Sequence, residues 1–261
     1  YRNPQLEPYL EARAEFLGHG AFSIPYMLDL LVAKGDESQR TVGRAISTLT
    51  DIGRVASPPL VAALQAENEL LQRRIAASLG QIGDHRAIPA LLLLVESQEE
   101  DSSLSKTAAD AIKKIRGESP SELGSATQEY QALIRQYLRE DEAEVGYVFG
   151  DWQALWSWNP EGERLAGSLS YELVPNFLFH LRRASHLSLR SLAVRAHNGE
   201  LQALLCAAFA RELARSRLYA LEGQNSTMRE YSRKRTEARE RRVPELCHYY
   251  DASVVGGGLQ H

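Results

Sequence analysis

Arg73-Arg74-Ile75-Ala76-Ala77-Ser78-Leu79-Gly80-Gln81-Ile82-Gly83-Asp84, followed after three residues by Ile88-Pro89-Ala90-Leu91, is the stretch that decides the fold. Leu71, Ile75, Ser78/Leu79 and Ile82 recur at the spacing of one helix face. Gly83 ends that helix, because a left-handed residue costs glycine least. Pro89 opens the next, where its missing N–H would be unpaired anyway. Working outward, the same unit recurs on both sides. Upstream, Ile24-Pro25-Tyr26-Met27-Leu28-Asp29-Leu30-Leu31 is followed by a helix ending Leu49-Thr50-Asp51-Ile52-Gly53. Pro58-Pro59-Leu60-Val61-Ala62-Ala63-Leu64 is the first helix of the central unit, and the polar turn Ala66-Glu67-Asn68-Glu69 separates it from the second. Downstream, Ile88-Pro89-Ala90-Leu91-Leu92-Leu93-Leu94 is followed by Ala111-Ile112-Lys113-Lys114-Ile115-Arg116-Gly117. The anchoring prolines 25, 59 and 89 lie 34 and 30 residues apart, and the closing glycines 53, 83 and 117 lie 30 and 34 apart. Each unit carries apolar residues on more than one face, so it must stack on neighbours to bury them.

These motifs resemble the HEAT-repeat family, in the short-period form typified by phycobilisome-lyase-type repeats. The resemblance covers about residues 20–117 and is closest over 58–95. Residues 6–17 resemble the second helix of a degenerate preceding repeat. The resemblance implies a right-handed α-solenoid of stacked helical hairpins that offers a surface to other proteins; it implies no single chemistry.

Beyond Gly117 the character changes. Gly117-Glu118-Ser119-Pro120-Ser121-Glu122-Leu123-Gly124 is a break, and residues 125–140 read as a helix with Tyr130, Leu133, Ile134, Tyr137 and Leu138 on one face. Residues 145–172 read as a small β-hairpin: Val145–Gly150 is β-prone, Ala154–Trp158 is followed by the turn signal Asn159-Pro160-Glu161-Gly162, and Arg164–Tyr171 resumes the strand. Residues 175–194 and 199–215 read as two helices joined at His197-Asn198-Gly199. This pair resembles a tetratricopeptide hairpin and, loosely, the region that follows HEAT repeats in some large bacterial repeat proteins. Residues 226–242 form a charged helix, 243–250 start another, and Val254–Gly258 reads as a loop. The expected organisation is a HEAT-repeat solenoid at 1–117, a linker helix plus β-hairpin at 118–172, and a tetratricopeptide-like helical region at 173–261, truncated at its C-terminal end. The fold class is mainly α.

Composition sets the bounds of function. The chain has 261 residues, 44% hydrophobic and 25% charged, the values of a globular protein. No apolar run reaches the roughly 18 residues of a membrane span, and no secretory signal is visible in the chain, which starts at Tyr1 rather than Met and so implies a processed or trimmed amino terminus; a cytoplasmic location is only the default expectation. Cys206 reads as a buried small hydrophobe, and Cys247-His248 are sequence neighbours, poor geometry for a thiolate–imidazole pair. No histidine precedes a glutamate, which sets the chain apart from the di-iron hydroxylases built on HEAT repeats. His180 and His186 are six apart, off the spacing of a shared helix face. A phosphate-binding glycine loop and a nucleophile elbow are both absent. No cofactor, metal or catalytic residue is expected. The net charge of -4 hides an asymmetry: residues 1–163 carry 15 basic and 25 acidic side chains, and residues 164–242 carry 15 and 7.

Two sets of residues stand out as candidate surfaces. Arg40, Arg44, Arg73, Arg74 and Lys106 lie on the second helices of the repeats and would form a ridge for a protein partner. Trp156 and Trp158 share one face of the expected hairpin and are candidate anchors, since Trp, Tyr and Arg dominate interface energies. Arg229, Arg233, Lys234, Arg235, Arg239, Arg241 and Arg242 on the charged helix are candidates for a polyanion or nucleic acid. The leading expectation is a non-catalytic scaffold that binds another protein and forms part of a longer chain. The alternatives are a lyase-type accessory protein, resembling phycobilin lyase subunits, and a nucleic-acid-binding solenoid.

Overall fold

The computed structural model describes residues 6–33, 38–99, 101–140 and 150–241. The chain divides into two compact units: residues 1–126 with 156–172, and residues 127–155 with 173–261. In the first unit α1 (Leu6–His19), which has no partner helix before it among the described residues, is followed by three helix pairs: α2 (Ile24–Leu31) with α3 (Ser38–Ile52), α4 (Ser57–Ala63) with α5 (Glu69–Ile82), and α6 (Ile88–Ser97) with α7 (Ser103–Arg116). The architecture is a mainly α solenoid bearing a small β-hairpin.

The repeat motif translates directly into local structure. Asn68 is extended, and its Oδ1 accepts the N–H of Leu71 at 3.0 Å, capping the first turn of α5. Gly83, at φ 73°, turns the chain out of α5 in the left-handed conformation. A 3-10 turn, His85–Ala87, leads into α6, with Pro89 in its first turn. Gly53 and Gly117 play the same part after α3 and α7, at φ 73° and 81°. Gly20, at φ 55°, does so after α1, so that helix ends as the second helices do.

Second helices stack on second helices, α1 on α3, α3 on α5 and α5 on α7. The α5–α7 contact is the tightest: a Cβ placed on Gly80 would lie 2.8 Å from the Cα of Ala111. Leu28, Leu49, Leu60, Leu71, Ile75, Leu79 and Leu91 fill the layer between first and second helices and are fully buried. One charge is buried with them. The Asp84 carboxylate accepts the Arg86 backbone N–H at 3.1 Å and its guanidinium at 2.7 and 3.0 Å, while Arg86 also donates to the Arg54 carbonyl of the previous turn at 3.3 Å. Burial alone would raise the Asp84 pKa, but the hydrogen bonds and charge of Arg86 outweigh it and hold the carboxyl below its ordinary range.

The hairpin has strands β1 (Trp152–Trp158) and β2 (Leu169–Pro175), paired antiparallel. Asn159 N–H to Ser168 carbonyl at 2.7 Å and the Ser157 and Ser170 hydroxyls at 3.1 Å fix the register, which sets Trp156 opposite Tyr171. The strand expected from Arg164 begins instead with one helical turn, α9 (Leu165–Ser168), which the Ser168 Oγ closes by donating to the Arg164 carbonyl at 3.1 Å. This turn packs on α2, and β2 then continues to Pro175. The expected strand residues 145–149 lie outside the described residues.

The second unit contains α8 (Ala126–Arg139) from residue 127 on, then α10 (Asn176–Val194), α11 (Gly199–Glu222) and α12 (Ser226–Glu240). Asn198 and Asn225 cap α11 and α12 through their side chains. α11 runs seven residues beyond its expected end because Tyr219 stacks on Phe177, ring centroids 4.1 Å apart, and Ser216 is buried, a continuation the apolar pattern does not signal. Leu155, Val174 and Leu178 form a core with Phe177 and Tyr231 against it. Glu212 is fully buried on α11, receiving Arg235 at 2.7 Å and Arg239 at 2.6 Å from α12, with Arg182 of α10 at 3.9 Å. Residues 243–250, expected to start a further helix, lie outside the described residues.

Two predictions follow from the first unit's packing. Alanine normally improves a helix over glycine by about 1 kcal/mol, and Gly43→Ala should do so by about 0.5–1 kcal/mol, because nothing lies within 4 Å of a Cβ there. Gly80→Ala should instead lower stability by about 1–3 kcal/mol through overpacking against Ala111. Urea midpoints of the two variants on opposite sides of the wild type are the expected result; a stabilised Gly80→Ala would mean the helices are not in contact there. Asp84→Asn should cost about 3 kcal/mol at pH 7, the scale of breaking a buried ion pair. Because the folded pKa lies below the unfolded value of about 3.9, this contribution is present above pH 4 and is lost as pH falls through the folded value. Wild type and variant should therefore converge in stability on acidification, as denaturation midpoints from pH 7 to pH 3 would reveal.

Candidate protein-docking groove

A groove of about 420 Å³ lies between α1, α2 and α3. Its floor is apolar, from Phe16, Met27, Leu30 and Ala45, and its walls carry Tyr9, Arg13 and Arg44. Arg13 donates to the Asp51 carboxylate at 2.7 Å, and that bond, with the Asp51 charge, holds its guanidinium pKa above the ordinary range. Arg44 stacks over the Tyr9 ring, its guanidinium carbon 4.5 Å from the centroid. Among the described residues its guanidinium N–H groups donate to nothing. The groove thus pairs an apolar floor with one cation whose donors are open to a ligand.

The five cations expected to form one ridge behave differently. Arg40 is exposed at the start of α3, and Arg44 lines the groove. Arg73 is half-buried on α5, with no hydrogen-bond or ion-pair partner among the described residues. Arg74 turns inward and donates to the carbonyl of Leu31 at the end of α2, so it is a packing residue rather than a surface one. Lys106 is exposed and pairs with Asp101 at 3.0 Å.

The tryptophans also separate. Trp156 is only 2% exposed, packed against Tyr171 (centroids 4.9 Å) and Phe22 (5.8 Å), which themselves meet edge to face at 5.1 Å. A side chain so placed holds the hairpin tip on the first repeat and cannot anchor a partner. Trp158 is half-buried. Phe22 and Tyr171 stay about half exposed at the edge of this trio, and Tyr26 and Val55 are exposed as well. Trp152 meets Tyr231 edge to face at 5.7 Å in the second unit.

The charged helix is mostly internally paired. Arg235 and Arg239 point at the buried Glu212, and Arg239 also stacks on Phe209 at 3.6 Å, so neither belongs to a polyanion surface. Arg233 and Lys234 pair with Glu230, and Arg233 with Glu237. Arg229 and Arg241 are exposed, and Arg242 lies outside the described residues. On α10, burial first and then Arg183, Arg190 and Arg182 push His186 down to about 3, so it is neutral at physiological pH. Cys206 is half-buried rather than fully so. Among the described residues, no group of three His, Cys, Asp or Glu side chains is placed to hold a metal ion, and no helix is long and apolar enough to cross a membrane.

Tyr9, Arg13 and Phe16 were not among the residues the sequence singles out. The one signal near them is the reading of residues 6–17 as a second helix, which places them on the stack beside α3.

Comparison with known proteins bears on the first part of the chain. The HEAT-repeat family profile matches residues 24–113 and, one repeat further on, residues 57–146. Neither match bears on a lyase-type subfamily or a tetratricopeptide-like pair. No curated protein and no solved structure matches the chain. Over residues 24–146 the paired helices, closing glycines and helix-opening prolines thus coincide with a match to the HEAT-repeat family profile, and the stacked helix pairs of that family are generally scaffolds for protein interaction.

Proposed function

We propose that this protein is a non-catalytic scaffold that binds another protein through the second-helix side of its first unit. The observation that carries the reading is the pair of guanidinium groups on successive second helices, Arg44 on α3 and Arg73 on α5, that have no hydrogen-bond or ion-pair partner among the described residues. Around them, apolar side chains are used in stacking the repeats upon one another. Arginine is the side chain best suited to such a role, because its planar donors match carboxylates two at a time. Arg40 is exposed one turn before Arg44 on α3, and Lys106 is exposed on α7 beside Asp101, so the surface fits a partner with an acidic face. The polyanion reading has less support, since most cations of α12 pair with Glu212, Glu230 and Glu237. The lyase-type reading rests on sequence resemblance alone, and a bilin-bearing product would be its mark.

The test is retention of partner proteins from a native extract on the immobilised chain, wild type against the double variant Arg73→Glu, Lys106→Glu. The expected outcome is a defined set of proteins whose retention falls at least about tenfold on charge reversal, with the helical circular-dichroism signal unchanged. Interface arginines commonly contribute about 2 kcal/mol or more, which sets that scale. Retention of an identical set by both would remove this face from the interaction, and the absence of any specifically retained protein would remove the scaffold reading.

A further inference from the structure

In the second unit, α10 carries a stripe of basic side chains. His186 and Arg190 stand three and seven residues beyond Arg183, which puts all three on one face of the helix. Arg183 is only 7% exposed, and it has no hydrogen-bond or ion-pair partner among the described residues. The Nδ1 atom of His186 is buried and also meets no partner. His186 and Arg190 are half-buried, so the stripe opens towards solvent at that end. Buried polar groups of this kind are rare in native proteins, and an ion is one of the standard reasons for them.

The charge around the stripe is unbalanced. A guanidinium removed from water without a counter-ion is among the least favourable groups to bury. Glu212 is the one fully buried carboxylate of the unit among the described residues, and it already receives Arg235 at 2.7 Å and Arg239 at 2.6 Å, with Arg182 at 3.9 Å. One carboxylate thus answers three guanidinium groups, and Arg183 adds to the excess. His186 registers that field: burial first, then the charges of Arg183, Arg190 and Arg182, hold its pKa at about 3. The imidazole is therefore neutral, with a single N–H. Placed on Nδ1, that N–H is a second donor on the face that carries Arg183.

We propose that this stripe binds a phosphate group, with the Arg183 guanidinium as its main ligand, the His186 Nδ1–H as a second donor and Arg190 contributing positive field. Guanidinium donors match phosphate oxygens two at a time. A phosphate group also carries up to two negative charges and at least three acceptor oxygens aimed in different directions. It therefore answers an excess of positive charge and two separate donors together, where a carboxylate offers one charge and two oxygens in a plane. The site lies apart from the cations of α12 and from the Arg44–Arg73 face, and it does not depend on the scaffold reading.

The test is a titration of the purified chain, dialysed free of phosphate, with inorganic phosphate at fixed ionic strength. The thermal midpoint should rise saturably, because a ligand that binds only the folded state stabilises it, and sodium acetate should give no rise. Arg183→Met should weaken phosphate binding at least about tenfold, the scale of charge-assisted hydrogen bonds. Without phosphate it should melt no lower than the wild type, since it removes an unpaired buried cation; a merely structural Arg183 would give a lower midpoint in both conditions. Arg229→Gln, which removes an exposed charge from α12, should leave binding unchanged. Side-chain imidazole NMR signals of His186, assigned with His186→Gln, should move in the wild type with the same half-saturation, and they decide the matter should Arg183→Met fail to fold. Glycerol phosphate identifies the source: binding means a phosphate carried on a small molecule, exclusion means the free ion, and either keeps the site. An equal rise with acetate, a response that survives Arg183→Met or is equally lost in Arg229→Gln, unmoved His186 signals, or no phosphate response because a carboxylate of the chain itself holds Arg183 would each overturn the proposal.

Discussion

The approach of α5 to α7 at Gly80 and Ala111 sets the spacing on which the first unit depends. Two helices in backbone contact cannot slide apart without opening the layer beneath, because close-packed interiors have no slack volume to absorb the change. That layer holds Leu71, Ile75, Leu79 and Leu91, all fully buried. The spacing is carried across repeats by polar links as well as apolar ones. Arg74 reaches the end of α2, and Arg86 ties Asp84 to the turn after α3. Each repeat is thus held by the next through a bond that neither could make alone, which is the physical content of stacking in a solenoid.

The second unit solves a different problem. Its helices carry fewer large aliphatics, and its centre includes a carboxylate, Glu212, with arginines from two other helices around it. A buried charge of this kind is weak support for stability, and here it draws arginines of α10 and α12 to one carboxylate on α11. It also accounts for the fate of the basic helix: cations that look like surface charge in a linear reading are counter-ions to one glutamate. The surface charge of this unit is correspondingly smaller than its sequence implies.

What the sequence made legible was the part governed by local rules. Prolines at first turns, glycines after second helices and the 3.6-residue period each act within a few residues, so Gly53, Gly83 and Gly117 read as helix ends from their local sequence alone. The hairpin was legible as a β segment because Trp152–Trp158 alternates and a turn signal follows. What escaped was set by distant partners. Nothing near Trp156 indicates that Phe22 will cover it, nothing near Arg239 indicates Glu212, and nothing in α3 distinguishes Arg44 from Arg74 except which helix lies opposite. The groove escaped for the same reason: its lining comes from three helices, α1, α2 and α3, and no local pattern in any one of them marks it.

The aromatic trio has a consequence for how the molecule comes to be folded. The helix pairs from α2 to α7 contact mainly their sequence neighbours, and such low-order contacts form quickly and from the N-terminal end as the chain is made. Phe22 is different, because Trp156 and Tyr171 lie 134 and 149 residues further along the chain. At roughly 5–20 residues per second, the first repeat waits on the order of ten seconds for the side chains that cover it. Throughout that interval a nascent, otherwise complete solenoid displays bare aromatic surface, and its last closure is a long loop rather than another stacked pair. The hairpin tip is therefore the late step of assembly, and the first repeat is where the unfinished protein is most exposed to aggregation.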